Sequence, residues 1–411
     1  MSAPPVARDT LAIIGAGPVG LEAAAHALEL GFDVHVFERG EVAAHVIAWG
    51  HVDMFTPWRM NVGPASQRLL TKHGWTAPEA DAHPSGTEFA EQALVPLAET
   101  PELKPRVHSH AQVVQVSRRG ALRSDAADSP PRANHPFRLL VRDVGGRENF
   151  LHAHTLLDAS GVMGAPNALG TGGIPARQEL YLAPQMSYQC DDVLGARRAR
   201  YAGKRTLVVG GGAGAVTAVL ALAKLAREAA GTSVAWAMRR ADGHFRGERP
   251  GDPLAARAAM FAEARALLAQ TDSPVTLFTG CETEALEYNS ATHRYRVQMS
   301  HAEGTRAEEV DHVLVQCGYG QDRALIRELH REECPRSGGP LALSRALEAA
   351  GAEADQLAVT AESLAHPEPG YFEIGAKAHG RRGEFLLTQG HAQVAAVMLE
   401  LVAFRDTAAS R

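Results

Sequence analysis

Two short stretches of the chain concentrate residues able to hold a phosphorylated nucleotide. In "LAIIGAGPVGLEAAAHALEL", residues 11–30, Gly15, Gly17 and Gly20 form G-x-G-x-x-G between a strand pattern and a helix pattern, with Pro18 opening the helix. Such a turn lets backbone N–H groups at the helix start approach a pyrophosphate. "RTLVVGGGAGAVTAVLALAKL", residues 205–225, repeats the device as G-x-G-x-x-A with Gly210, Gly212 and Ala215; Gly211 and Gly214 add room, and Ala213 follows at the helix start. The strands that come next end differently. The first ends in Glu38 and Arg39, the second in Arg239 and Arg240, with Arg246 and Arg249 close behind. A carboxylate about twenty residues after the turn accepts the hydrogen bonds of an adenosine ribose and repels a phosphate there. Guanidinium groups at the same edge make bidentate contacts to a ribose phosphate. The first site is therefore expected to take a non-phosphorylated dinucleotide and the second NADPH rather than NADH. The alternatives are an ordinary glycine-rich turn and a solvated arginine run.

Two such sites in one chain suggest a cofactor kept at one and a reductant taken in at the other. FAD fits the first site, because NADPH can pass hydride to a flavin whereas two nicotinamides have no evident net chemistry.

These turns need strands and helices to present them. The 411 residues, 45% hydrophobic, exceed an ordinary single core and predict two domains. The periodicities predict an α/β fold of two Rossmann-like, three-layer dinucleotide-binding domains. "AQVVQVS", "FRLLVRD" and "HTLLDAS" read as a β-meander inserted in the first domain, and "RSDAADSPPRANHP" as its polar, mobile hairpin tip. Two strands are expected between the helix "PLAARAAMFAEARALLAQ" and "DHVLVQCGYGQD". The last segment offers a strand, a glycine turn and a terminal helix expected to return to the first domain.

The charge balance, 41 basic against 47 acidic residues, gives −6 and no basic patch for nucleic acid. "MSAPPVARDT" lacks a leader pattern and no apolar run is long enough for a membrane span, so a cytoplasmic location is expected. Cys190, Cys281, Cys317 and Cys334 form no C-x-x-C and read as reduced, mostly structural thiols.

On these residues the chain resembles the two-dinucleotide-binding-domain flavoproteins, and within them the flavin-containing (class B) monooxygenases and their bacterial relatives. Two crossing segments of that family end in Ala-Thr-Gly-like triplets. Here "LLDASG", with Ser160 and Gly161, and "VLVQCGYGQD", with Gly318, occupy the matching places. Gly375 matches the late glycine, and Ala376 stands where the disulfide reductases of the superfamily carry a flavin-binding aspartate. The Phe-Gly then His fingerprint of class B enzymes has no counterpart in "LYLAPQMSYQCDDVLG". The resemblance implies that the FAD domain is discontinuous (residues 1–165 and 318–411), with the NADPH domain (166–317) inserted between its halves. It implies too that NADPH reduces FAD and that dioxygen adds to it. A peroxyflavin then gives one oxygen to a small nitrogen or sulfur nucleophile. A reductase acting on a quinone, a disulfide or a partner protein is the alternative, with Cys190 its one tempting thiol. A non-catalytic flavin sensor is a third reading, against which the arginine-edged turn argues.

Further site residues are expected in the aromatic loop after the first unit. Two tryptophans, Trp49 and Trp58, with Phe55 and Asn61, suit a wall that excludes water, and Arg59 suits a flavin carbonyl or an acidic substrate. The pairs His108/His110 and His152/His154 share sheet faces without a third ligand, so no metal is expected. Glu22, His26 and Glu29 line one helical face that reads as solvated. His379, Arg381, Arg382 and His391 flank the late glycine and are candidates for flavin or substrate contact. No acid–base catalyst is singled out, and a homodimer is left open.

Overall fold

The structure is a computed structural model; it describes residues 7–351, 354 and 357–409. The start of the segment read for a leader, residues 1–6, lies outside the described residues. The chain divides into two units, Met1–Ala165 with Gly320–Arg411, and Pro166–Tyr319.

The first unit is built on a parallel sheet of order β15-β7-β1-β2-β3. Its strands are β1 (Thr10–Ile14), β2 (Asp33–Phe37), β3 (Val107–His108), β7 (Thr155–Asp158) and β15 (Tyr371–Glu373). Alternate residues of β1 serve opposite faces, as strand geometry requires. Leu11 and Ile13 join the core beneath helices Pro18–Glu29 and Leu387–Ala409. Ala12 and Ile14 join a second core with Val116, Phe137 and Leu139, which belong to an antiparallel sheet of β4 (Gln112–Arg118), β5 (Phe137–Arg142) and β6 (Glu148–Ala153).

The second unit repeats this plan of helices, parallel sheet and antiparallel sheet. Its parallel sheet, β10-β9-β8-β14, uses β8 (Arg205–Val209), β9 (Ser233–Ala237), β10 (Val275–Phe278) and β14 (His312–Val315). Val208, Val234 and Trp236 pack under helices Ala213–Glu228 and Ala255–Leu268, while Leu207, Val209 and Ala235 face β11 (Glu282–Asn289), β12 (Arg294–His301) and β13 (Gly304–Val310). Both units are thus three-layer and Rossmann-like.

Several local expectations change. "HTLLD" is not the third meander strand: all four residues of β7 are buried, and it lies between β1 and β15 in the parallel sheet. The meander takes "ENFLHA" instead. Four strands, parallel β10 and antiparallel β11, β12 and β13, and not two, lie between the helix Ala255–Leu268 and β14. The aromatic loop contains the short helices Ala44–Ala48 and Trp58–Asn61 and the helix Pro64–Lys72. The hairpin tip is not a free polar loop, because Arg132 is fully buried and, with Arg118, pairs with buried Glu368. The helical face of Glu22 and Glu29 is a docking surface. Buried Glu22 accepts the N–H groups of Ala65 and Ser66 (3.0 and 2.8 Å) at the start of Pro64–Lys72, and Glu29 pairs with Arg68.

Candidate nucleotide sites

In the first unit strand register aligns Ile14 with both Phe37 and Asp158, and Asp158 with Glu373. Gly15, Glu38 and Ala159 therefore follow together at the carboxyl edge of the sheet, where open α/β sheets hold ligands. Gly15 has φ of +102°, and a Cβ there would lie 2.7 Å from the Ala159 carbonyl oxygen, so only glycine fits. A Cβ on Gly20 would lie 2.0 Å from the Gly15 oxygen, which makes the close approach of helix to turn depend on this residue too. Gly17, between them, has nothing within 4 Å of its Cβ position and leaves the turn open. Pro18 occupies the first position of the helix, where its missing N–H has no intrahelical partner to lose.

Glu38 closes on this turn. Its carboxylate accepts the Ala16 N–H at 3.0 Å and the Gly40 N–H at 2.9 Å. Arg39, exposed, bonds the His45 ring at 3.0 Å and lies against Gly164. Ser160 donates from its N–H and Oγ–H to Asp158 (3.1 and 2.6 Å), and Gly161 follows with φ of +68°. Gly375 comes to the same region: its φ is +73°, its Cβ position is 3.4 Å from Val19, and its N–H donates to Gln393 Oε1 at 2.6 Å. Gln393 is fully buried, and its Nε2 has no protein partner.

The second turn has the same backbone plan. Gly210 has φ of +140°, and a Cβ there would lie 2.2 Å from the Gln316 carbonyl oxygen. Gly212 has nothing within 4 Å of its Cβ position, Ala213 starts the helix, and a Cβ on Gly214 would meet Gln316 Oε1 at 2.8 Å. The register counterpart of Glu38 is Met238, since Gly15 N–H bonds Phe37 and Gly210 N–H bonds Ala237. Met238 is buried with its methyl against Gly211. The arginines come one residue later. Arg239 is exposed, and Arg240 is held in a bidentate pair by Asp242 (3.0 and 2.5 Å). The loop then folds back so that the Arg246 N–H bonds the Gly211 carbonyl at 2.6 Å. Gly318 lies beyond β14, where its carbonyl accepts the Asn167 N–H at 2.9 Å.

Residues of the aromatic loop are differently placed. Trp58 is buried against Phe89, ring centroids 6.0 Å apart, and Trp49 packs on Gly86. Buried Asn61 holds Thr56 through two hydrogen bonds, and Arg59 makes an exposed pair with Asp81 at 2.6 Å. Phe55 is half-buried. Of the residues near the late glycine, His379 packs edge-on to Phe385, and the Arg381 N–H bonds the Ser337 carbonyl.

No protein-family model and no curated protein matches the sequence. Solved structures do match along nearly its whole length. Bacillithiol disulfide reductase Bdr from Bacillus cereus aligns with a TM-score of 0.68 at 17% identity, over 96% of this chain and 98% of that one. The FAD-bound cadaverine monooxygenase DfoA of Erwinia amylovora aligns at 0.66 and 14%, over 97% and 95%. Ornithine N-hydroxylase KtzI of Kutzneria sp. 744, with FADred, NADP+ and L-orn, aligns at 0.65 and 14%, over 97% and 100%. The chain has the fold of these oxidoreductases. Those proteins differ in chemistry, disulfide reduction and N-hydroxylation, so the fold alone assigns neither to this chain.

The four thiols have distinct surroundings. Burial pushes the Cys190 thiol up to about 11, with Asp191 and Asp192 adding to the shift, and burial pushes Cys317 up to about 12. Neither is a thiolate at neutral pH, which disulfide exchange requires. Hydrogen bonds from Ser337 bring Cys334 down to about 7, yet this residue is only 9% exposed. Cys281 is buried as well. No helix among the described residues is long and apolar enough to cross a membrane.

Proposed function

We propose that the chain is an FAD-dependent oxidoreductase that takes electrons from NADPH, and that it is a monooxygenase acting on a small nitrogen or sulfur nucleophile. The observation that carries this reading is the contrast between the two turns. Glu38 closes the first with a carboxylate, and the loop Arg239–Arg246 borders the second with cations. The residues present fit the cofactors: both turns are open at Gly17 and Gly212, and the buried Gln393 Nε2 offers an unused donor beside Gly375.

In this reading Gly15, Gly17, Pro18 and Gly20 hold the FAD pyrophosphate and Glu38 its ribose, with Arg39, Ser160, Gly161 and Gly375 around it. Gly210, Gly212, Ala213 and Gly214 hold the NADPH pyrophosphate, Arg239 and Arg240 its ribose phosphate, and Gly318 the end of the second crossing. When bound, these groups supply hydride transfer and dioxygen activation. Trp49, Trp58 and Asn61 are assigned to the wall that keeps water from the flavin, and Arg59, held by Asp81, to a flavin carbonyl or an acidic substrate. The raised thiols favour the monooxygenase over a disulfide reductase.

The deciding experiment is anaerobic mixing of purified, FAD-loaded protein with NADPH or NADH, followed by oxygen in the presence of candidate amines and thiols. Rapid flavin bleaching with NADPH and product formation coupled to oxygen uptake are expected. Equal efficiency with NADH overturns the cofactor assignment. Turnover of a quinone or disulfide that is indifferent to oxygen overturns the monooxygenase.

A further inference from the structure

The late glycine turn carries a buried charge that nucleotide binding alone does not explain. Lys377 is fully buried, with Nζ 2.7 Å from Asp158 Oδ2, 3.0 Å from Ser160 Oγ and 2.9 Å from the Asp322 carbonyl. Two of its N–H donors make hydrogen bonds, to Ser160 and Asp322, and Asp158 supplies the opposite charge. The Lys377 carbonyl in turn accepts from Gln321 Nε2. Three segments remote in sequence, Asp158–Gly161, Gln321–Asp322 and Gly375–Lys377, thus meet at one side chain. Replacing a buried ion pair by apolar residues is often neutral for stability, so fixed geometry is the benefit to look for.

That geometry reaches the first glycine turn by contact. Ser160 accepts from Lys377 and donates to Asp158, which locks the bend after β7. The bend has no slack, because Ala159 O and Ser160 Cα lie 2.7 and 3.0 Å from where a Gly15 side chain would begin. We propose that Lys377 is a positioning residue for the dinucleotide site of the first unit, acting through Asp158 and Ser160 on the Gly15 turn. This rests on reading that turn as the FAD site.

The test compares full-length wild type, Lys377→Met and Lys377→Met/Asp158→Asn by thermal midpoint, FAD affinity and visible circular dichroism of the bound flavin. The single variant strands a buried carboxylate and is expected to lose stability and flavin together. The double variant removes both charges. It is expected to recover the midpoint to within about 4 °C yet bind FAD about tenfold more weakly, with an altered flavin spectrum. A double variant with wild-type affinity and spectrum overturns the inference. Should it not fold, Gln321→Ala, which frees the Lys377 carbonyl and removes one of the acceptors of Arg323, is read instead. About threefold weaker FAD binding at an unchanged midpoint is then expected, and unchanged affinity overturns the proposal. Wild-type protein that binds no FAD overturns the reading of the first turn itself, so the two failures are distinct.

Discussion

At the first turn Gly15 leans on Ala159 and Ser160, and behind that bend stands the buried Lys377–Asp158 pair. At the second, Gly210 leans on Gln316, and its carbonyl accepts the indole N–H of Trp236 at 2.8 Å, with Met238 alongside. Trp236 in turn stacks on Phe245 at 5.2 Å. One backbone solution is supported by charge in one unit and by aromatic packing in the other. Opposite strand-edge chemistry follows the same division: a carboxylate closes on the first turn, and a buried thioether takes its register position at the second. The units should therefore answer differently to mutation and pH.

The largest difference is expected at the Arg118–Glu368–Arg132 cluster, which ties the meander to the segment before β15. Glu368→Ala leaves two buried guanidinium groups without their carboxylate and should cost about 3–5 kcal/mol, read by denaturant unfolding. A loss under 1 kcal/mol, on the scale of about that for an exposed pair, would show that charge does not support this unit.

Acid should also weaken the first unit. Burial, then Arg331 and Arg323, holds His366 down to about 4, so it stays neutral in the fold at pH values where the unfolded chain takes up a proton. Its contribution is full above pH ~6.5 and falls away between ~6.5 and ~4, on the order of 3 kcal/mol in total. His366→Gln should flatten the decline in thermal midpoint across that window, and an unchanged slope would assign it to other groups.

Smaller and more specific effects are expected at the turns. Gly15→Ala, forced to a positive φ against backbone, should cost about 1–3 kcal/mol and lose flavin. Gly17→Ala, with open space at its Cβ, should keep its thermal midpoint and lose flavin only. If both variants bind FAD normally, the first turn does not hold it. Arg239→Ala should raise the KM for NADPH about tenfold, or about 1.4 kcal/mol, and leave NADH unaffected. Arg240→Ala should do less, because Asp242 already holds that guanidinium. The reverse order would place the ribose phosphate on Arg240.

Both turns, their flanking strands and helices, and the return of the last segment were legible because their signals are local or strongly periodic. Glu38 was legible as well, since its distance from the turn in sequence follows from the helix between them. The meander boundary was not: an apolar run such as "HTLLD" reads alike in a hairpin or a parallel sheet, and its partner β15 lies some two hundred residues on. Glu22 read as solvated because the residues it caps are 43 and 44 positions away. Arg132 read as part of a polar tip because Glu368 is 236 positions away. Met238 was passed over for the arginines beside it, although counting from strand ends points to it.

By itself, the sequence determined where the chain must bend into left-handed glycine conformations and which stretches alternate or turn with helical period, because those properties depend on a few neighbouring residues. Only the tertiary structure decided which charges are buried and what supports each turn. Desolvation and ion pairing sum over groups that folding brings together from distant parts of the chain, and Lys377, unremarked among its neighbours in sequence, acquires its partners only there.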